Sequence, residues 1–391
     1  MADFTTQSTI LVTCPKGMPE YLAEELNTLG FTQSHALDAG VETRGTLQDC
    51  MKLNLWVRTG HRVLFELARI DALSADDLYR AVRKLDWEQF LAVDGYFRVD
   101  AVIRDTTVND SRFAALRVKD AVADHFNDRY GRRPDSGPET SGVCLFLYWN
   151  GRRATLYLDT TGEPLPRRGY RKRPHKAPMQ ETLAAVCVLA SGWPAQAKRN
   201  GHFIGPMCGS GTLAIEAALM AVNGAPGLLR DHFAFMALPD YDSARWNELL
   251  DQAEDAENPN FSGRIIATDH DPEAIEAARD NARAAGVGDF IEFGVCDFRE
   301  TEVPEGPGIV MLNPEYGERL GQVDQLGQVY KGIGDFFKKS CSGKTGFIFT
   351  GNLKLAKQVG LRTKTRRTFF NAKIECRLLE YELYDGTRKG E

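Results

Sequence analysis

Three short stretches carry residue types at spacings that could do chemistry. In the first, Phe203-Ile204-Gly205-Pro206-Met207-Cys208-Gly209-Ser210-Gly211-Thr212, an apolar strand end meets a glycine turn and then a run of helix formers, Leu213 to Ala218. Gly209 and Gly211 tolerate positive φ and leave no Cβ in a ligand's way, and the open N–H groups of the helix start face that ligand. Two readings stand: a nucleotide-type cradle at the carboxyl end of a first strand, or a helix cap holding two glycines. In the second stretch, residues 264–268 read as a strand ending in Asp269-His270-Asp271-Pro272. A carboxylate just past a second strand is where a ribose hydroxyl pair is gripped. In the third, the buried-type strand 308–312 ends in Asn313-Pro314-Glu315-Tyr316-Gly317-Glu318-Arg319. Two carbonyl acceptors and an aromatic ring at a strand tip suit a flipped-out base bearing an amino group. Asn-Pro is also an ordinary loop entry, but its place after a fourth strand, with the glycine turn after the first, favours the base.

The elements that must position these residues follow from hydrophobic period. From about residue 201 the chain predicts a strand, the cradle helix, and an acidic insertion at 223–263 with one helix at 242–256. Strands at 264–268, 290–294, 308–312 and 346–350 follow, with helices at 273–285 and 326–341, and 368–371 with 374–383 close the sheet as an antiparallel pair. Upstream, strands at 8–14, 62–70 and 97–103 alternate with helices at 20–29, 47–57, 76–85 and 113–130. Asn150-Gly151 joins two alternating runs, 143–149 and 154–159, the strongest short hairpin signal. The expected division is a small ferredoxin-like α+β module at 1–60, a second α+β domain at 61–162, a basic linker and lead-in helix at 163–200, and an α/β Rossmann-like domain at 201–391.

Composition sets the outer limits. A chain of 391 residues predicts two or three domains. No run of 18 apolar residues occurs, so no membrane span is expected. The first residues lack a basic start followed by an apolar block, which predicts no secretory signal. The 8 cysteines are scattered without a C-x-x-C pair, which argues against a zinc site or a disulfide scaffold and fits a reducing cytoplasm. Net charge is −6, yet residues 167–176 hold Arg167, Arg168, Arg171, Lys172, Arg173 and Lys176 with no acid, and Arg362, Lys364, Arg366, Arg367 and Lys373 cluster later. Such a run is commonly a solvated linker. The interleaved Tyr170 favours a phosphate-binding surface, with Arg167, Arg168, Tyr170, Arg171, Lys172 and Arg173 as its contacting residues.

Pro206-Met207-Cys208-Gly209-Ser210-Gly211-Thr212, then Asp269-His270-Asp271-Pro272, then Asn313-Pro314-Glu315-Tyr316-Gly317-Glu318-Arg319 together resemble a class I S-adenosylmethionine (SAM) dependent methyltransferase acting on an amino nitrogen. The closest likeness is to the THUMP-domain 23S rRNA guanine-N2 methyltransferases, and it runs along nearly the whole chain. Arg117-Val118-Lys119-Asp120-Ala121 and Tyr157-Leu158-Asp159-Thr160-Thr161-Gly162-Glu163 resemble a THUMP domain, while Arg168-Gly169-Tyr170-Arg171 and Gln180-Glu181-Thr182-Leu183-Ala184-Ala185 resemble the family's interdomain passage. The resemblance implies SAM as cofactor, held by Pro206, Cys208, Gly209, Gly211 and Thr212 at the turn, Asp269 at the ribose, and Asp297 with Phe298 at the adenine; Asp297 also reads as a turn aspartate. It implies Asn313, Pro314 and Tyr316 as catalytic residues. The implied partner is RNA, as 23S rRNA or a large-subunit assembly intermediate, contacted by the basic run from Arg167 to Arg173, with no metal. Two positions depart from the pattern: Gly205 stands where the family has an acid for the methionine amino group, and Glu315 where it has proline. These departures keep two alternatives open, an adenine-N6 or other amino methyltransferase and a catalytically silent RNA-binding relative. An NAD-dependent oxidoreductase is disfavoured, because Gly-Ser-Gly-Thr lacks the third glycine of that fingerprint.

Overall fold

The computed structural model describes residues 4–173, 179–316 and 323–384. The chain divides into two compact units. One comprises Met1–Pro15, Leu22–Leu165 and Arg230–Gln252; the other comprises Lys16–Tyr21, Pro166–Leu229 and Ala253–Glu391.

The first unit is built on one eight-stranded sheet. Its strands are β1 (Ser8–Thr13), β2 (His35–Leu37), β3 (Gly40–Gly45), β4 (Arg62–Asp71), β5 (Tyr96–Arg104), β6 (Asp135–Ser136), β7 (Val143–Asn150) and β8 (Arg153–Asp159), in the order β2-β3-β1-β4-β8-β7-β5-β6. Four helices belong to the same part of the chain: α1 (Pro19–Thr28), α2 (Leu47–Trp56), α3 (Ala75–Val82) and α4 (Ser111–Tyr130). Thr46 and Ser74 start α2 and α3 with full capping boxes, each reciprocated by an aspartate three residues on. The expected hairpin forms, with Asn150 paired to Arg153 across a turn in which Gly151 has φ +57°. The two upstream modules share this sheet, because β4 pairs with β1 on one side and β8 on the other. Asn54 of α2 ties the modules further, donating to Thr160 Oγ1 at 2.8 Å and accepting from Thr161 at 2.7 Å. Buried polar groups satisfied in this way fix one packing.

The second unit is an α/β domain of Rossmann-like, class I methyltransferase form. Strands β9 (His202–Pro206), β10 (Ile265–Asp269), β11 (Ile291–Val295), β12 (Gly308–Leu312) and β13 (Thr345–Thr350) run parallel, and β14 (Thr365–Asn371) and β15 (Ile374–Glu382) close the sheet antiparallel, giving the order β11-β10-β9-β12-β13-β15-β14. The continuous apolar runs of β10 and β12 reflect burial on both faces. On one face α10 (Val323–Ser340) packs Tyr330, Ile333, Phe336 and Phe337 against Ile204, Val310, Leu312 and Ile348. On the other, Phe203 meets Trp193 of α6 (Trp193–Ala197) edge-on at 5.3 Å, as strand alternation requires. Helices α5 (Glu181–Ala190) and α7 (Thr212–Ala221) are buried nearly all round. The helix expected in the insertion forms as α8 (Ser243–Asp255), α9 (Pro272–Ala284) follows β10, and α11 (Leu353–Ala356) follows β13. The insertion itself is not wholly part of this unit. Residues 230–252 go with the first unit, where Phe233, Phe235 and Trp246 pack ring on ring at 5.0–5.5 Å. No helix among the described residues is long and apolar enough to cross a membrane.

Candidate active site

The parallel strands deliver the three chemical stretches to one edge of the second sheet. Ile204 of β9 pairs with Val310 of β12, so Met207 and Asn313, each three residues further on, leave neighbouring strands about 4.8 Å apart. Thr268 of β10 pairs with Pro206, and Asp269 with Val295 of β11. Across the sheet the Asp297 turn, the ribose-type carboxylate, the cradle and the Asn313 loop therefore emerge side by side in that order.

The cradle is a strained turn. Met207, Gly209 and Gly211 have φ of +56°, +53° and +83°, a region costly for a side chain such as Met207's. Cys208 N–H donates to Thr268 O at 2.9 Å and Gly211 N–H to Cys208 O at 2.9 Å, which closes the turn. A Cβ at Gly209 would meet nothing within 4 Å, whereas one at Gly211 would lie 2.9 Å from Ala278 Cβ. Gly209 thus faces open space and Gly211 lets α7 pack close to α9. Burial pushes the Cys208 thiol up, with Asp269 adding to the effect, so it contributes a neutral wall. Pro206 and Thr212 are buried in the same turn.

Asp269 organises this turn. Its Oδ2 accepts from Gly209 N–H at 2.9 Å and its Oδ1 from Asp271 N–H at 3.1 Å. His270 Nδ1 also lies 3.3 Å from Oδ1, and a carboxylate with these contacts keeps acceptor capacity for hydroxyls. A cavity of about 320 Å³ opens beside it, lined by Met207, Asp269, His270, Asp297, Phe298, Arg299, Gln328, Val329 and Gly332, within the range of small-ligand sites. Asp297 acts as a turn aspartate. It caps the 298–300 turn through Arg299 N–H at 2.9 Å and pairs with the Arg299 guanidinium at 2.7 and 2.8 Å, and its carboxyl lines the cavity. The bonds from Arg299 outweigh partial burial and hold that carboxyl below the usual carboxylate range. Met207, His270, Arg299, Gln328, Val329 and Gly332 are lining residues the sequence reading missed. For Met207 and His270 adjacency to the motifs was a usable signal; for Gln328, Val329 and Gly332, far along the chain on α10, there was none.

Asn313 Oδ1 is a buried side-chain acceptor with no hydrogen-bond partner among the described residues. Such orphaned atoms are rare in folded proteins. Tyr316 is fixed from two sides: its hydroxyl accepts from Asn371 Nδ2 at 2.9 Å and its carbonyl from Asn352 Nδ2 at 3.2 Å. Its ring lies against Gly351, where a Cβ would come within 3.0 Å of Tyr316 Cδ2. Pro314 is buried and Glu315 exposed. Gly317 to Arg319 lie outside the described residues, as do residues 174–178 of the basic run.

The basic run is where expectation and structure part. Arg168 and Tyr170 are each 1% exposed. Arg168 Nε is 2.9 Å from the buried Glu216 of α7, and Tyr170 donates to the same carboxylate at 3.0 Å. Neither can meet a phosphate, because both face one buried acid, Arg168 as its counter-charge and Tyr170 as a neutral hydrogen-bond donor. Arg171 is also turned inward, onto Glu181 at 3.0 Å and Thr212 Oγ1 at 3.4 Å. Arg173 pairs with Glu276 and Asp280 at 3.1 and 3.0 Å while half exposed, and Arg167 and Lys172 are exposed. This strap also reaches the cradle. Asn281 of α9, 1% exposed, accepts from Arg173 N–H at 3.0 Å and donates to Arg173 O at 3.0 Å and to Ser210 O at 3.2 Å.

Comparison with known proteins agrees with this geometry. The family described as "RMKL-like, methyltransferase domain" matches residues 168–380, an RlmL ferredoxin-like domain matches 9–64, and a THUMP domain matches 72–159. The chain is 40% identical over 377 residues to the Syntrophotalea carbinolica "Ribosomal RNA large subunit methyltransferase K/L", covering 95% of this chain and 53% of that protein. It thus spans about half the length of curated relatives of that type. It is 36% identical to the Synechocystis "Putative RNA methyltransferase slr0064", covering 95% of this chain and 96% of that one. The solved structure of SMU.472, "a putative methyltransferase complexed with SAH", superposes with a TM-score of 0.87 at 27% identity, over 98% of this chain and 99% of the other. With the fold, the strand-end site and the matched ranges in accord, the chain belongs to the RMKL-like methyltransferase family.

Proposed function

We propose that this chain is a SAM-dependent RNA methyltransferase that modifies the exocyclic N2 of a guanine in 23S rRNA. The observation that carries the reading is the orphaned Asn313 Oδ1 at the tip of β12, beside the glycine cradle. The relatives named as ribosomal RNA large subunit methyltransferases, and the THUMP match, support RNA as the substrate class. The division of the chain at residues 60, 162 and 200 is likewise our reading, supported by the matched ranges.

The residues present fit the cofactor. The open face at Gly209 leaves room for the methionine half, Asp269 offers oxygens to the ribose, and Asp297 with Phe298 walls the cavity on the adenine side. When bound, SAM supplies an electrophilic methyl on a sulfonium. Everything else falls to the chain. An exocyclic guanine amine is a poor nucleophile because its lone pair is delocalised into the ring. Asn313 Oδ1 and the Pro314 carbonyl would accept hydrogen bonds from that amine and draw the pair back onto nitrogen. Tyr316, held by Asn371 and Asn352, offers a ring for the base to stack on, worth about 1–3 kcal/mol. Holding the two reactants in line with water excluded is the main catalytic task, and no strong base is required.

Tritiated SAM with 23S rRNA fragments, followed by nucleoside mass analysis, tests the reading. Label in N2-methylguanosine is expected. Label in N6-methyladenosine, or none from a chain that binds both SAM and RNA, would overturn it.

A further inference from the structure

We infer that three lysines around Tyr316, namely Lys16, Lys354 and Lys373, form a phosphate clamp that grips the RNA backbone on either side of the target base. The inference rests on the proposed RNA substrate and adds the surface that holds it.

The argument runs through the residues that fix Tyr316. Asn352 donates to the Tyr316 carbonyl, and its Oδ1 accepts from the backbone N–H of Lys354 at 3.1 Å as it caps α11. Asn371 donates to the Tyr316 hydroxyl, and Lys373 follows two residues later in the β14–β15 turn, where Ala372 sits at φ +53°. Phe370, the neighbour of Asn371, carries Lys16 Nζ 6.0 Å from its ring centroid. Lys354 and Lys373 are therefore each two residues from an asparagine that anchors Tyr316, and Lys16 contacts the ring of the residue next to Asn371. All three are exposed, and none makes an ion pair among the described residues. Glu375, the acid on the same hairpin, is taken up by Arg377 at 2.6 Å. By contrast Lys364, just before β14, and Arg367 on it share Glu380. In a chain of net charge −6, exposed lysines without an ion pair on the segments that anchor one aromatic residue are an electrostatic footprint for phosphates, and a stacking ring combined with cations is how unpaired strands are held.

The test is equilibrium binding of a 23S rRNA fragment to the full chain across a salt series, with no methyl donor present. Replacing all three with alanine (K16A/K354A/K373A) is expected to weaken binding at least tenfold near physiological salt. It should lower the slope of log affinity against log salt by about 2, at about 0.7 per single-strand phosphate contact. SAM affinity by calorimetry should be unchanged, and the triple arginine variant should keep the wild-type slope. A control triple, K331A/K338A/K339A on α10, is expected to change the slope by less than half as much. An unchanged slope in the first variant, or an equal loss in the control, would overturn the clamp. Because binding is read without methyl transfer, a clamp that holds RNA in a chain that never methylates it would sink the proposed reaction alone. An unchanged slope in a chain that methylates guanine would sink the clamp alone.

Discussion

At the scale of single residues the account depends on a few atoms. Asn313 Oδ1 is a buried acceptor at the strand tip with no partner among the described residues, so Asn313→Ala should cut kcat by about 10²–10³-fold, the usual cost of one aimed polar group. SAM affinity measured by calorimetry should stay within twofold, since Asn313 is not on the cradle. Gly209 predicts the opposite split. Its φ of +53° strains any side chain, and a Cβ there would enter the open face. Gly209→Ala should cost about 1 kcal/mol of stability and weaken SAM binding at least tenfold, with both read on the purified protein. Gly205, one of the two positions that depart from the family pattern, is sterically permissive: a Cβ would find Phe203 Cε1 at 3.6 Å and Ile266 O at 3.7 Å, ordinary contacts. Gly205→Ala should therefore fold with a melting temperature close to that of the parent, whereas Gly205→Asp also buries a carboxylate and should melt lower unless SAM pairs with it, which melting curves with and without SAM would show.

At the scale of elements, the strap from Arg168 to Arg173 is bolted to α7, α5 and α9, and Asn281 links it to the cradle carbonyl of Ser210. Asn281→Ala should leave buried Ser210 O and the Arg173 backbone unsatisfied, at about 1–3 kcal/mol. It should also raise KM for SAM with kcat at saturating SAM little changed. In the first unit, Glu88 supplies a pH signature. Burial acts to raise its carboxyl, but hydrogen bonds from His125 and Arg129 outweigh that and hold it at about 2. A depressed carboxyl stabilises the fold above its unfolded value near 4.5 and loses that contribution as pH falls towards 2. Melting curves between pH 5 and 2 should show a steeper fall for the parent than for Glu88→Gln, with the parent ahead by about 1–2 kcal/mol at pH 7 after screening. This level is also where sequence legibility ended. The glycine turn, the Asn-Pro tip and the strand rhythm were readable because each is a local pattern. Arg168 and Tyr170 were misread because their partner, Glu216, lies 46 residues past Tyr170 inside an apolar helix, and a linear charge count cannot see it. The two- and three-residue strands β6 and β2 are too short to carry a period.

At the scale of the whole molecule, two sheets divide the labour. The parallel sheet gathers Met207, Asp269, Asp297 and Asn313 at the ends of adjacent strands, and the topology alone makes that juxtaposition. The other sheet joins ferredoxin-like and THUMP regions by sharing β4, which the expected boundary at residue 60 did not foresee, since pairing on both edges of one strand leaves no mark in its sequence. The insertion after α7 was misplaced for a related reason. Its acidic composition gave no sign that Ala234 and Phe235 N–H would donate to Thr161 O and Thr160 O, contacts that tie 230–252 to the first unit. The central claim, that Asn313 receives the exocyclic amine of a guanine, is tested most directly by changing the substrate. In an rRNA fragment that the chain labels, the target guanosine is replaced by inosine, which lacks only that amine. The account predicts that fragment binding persists within a few-fold while methyl incorporation from tritiated SAM disappears; incorporation at the inosine near the guanosine rate would contradict it.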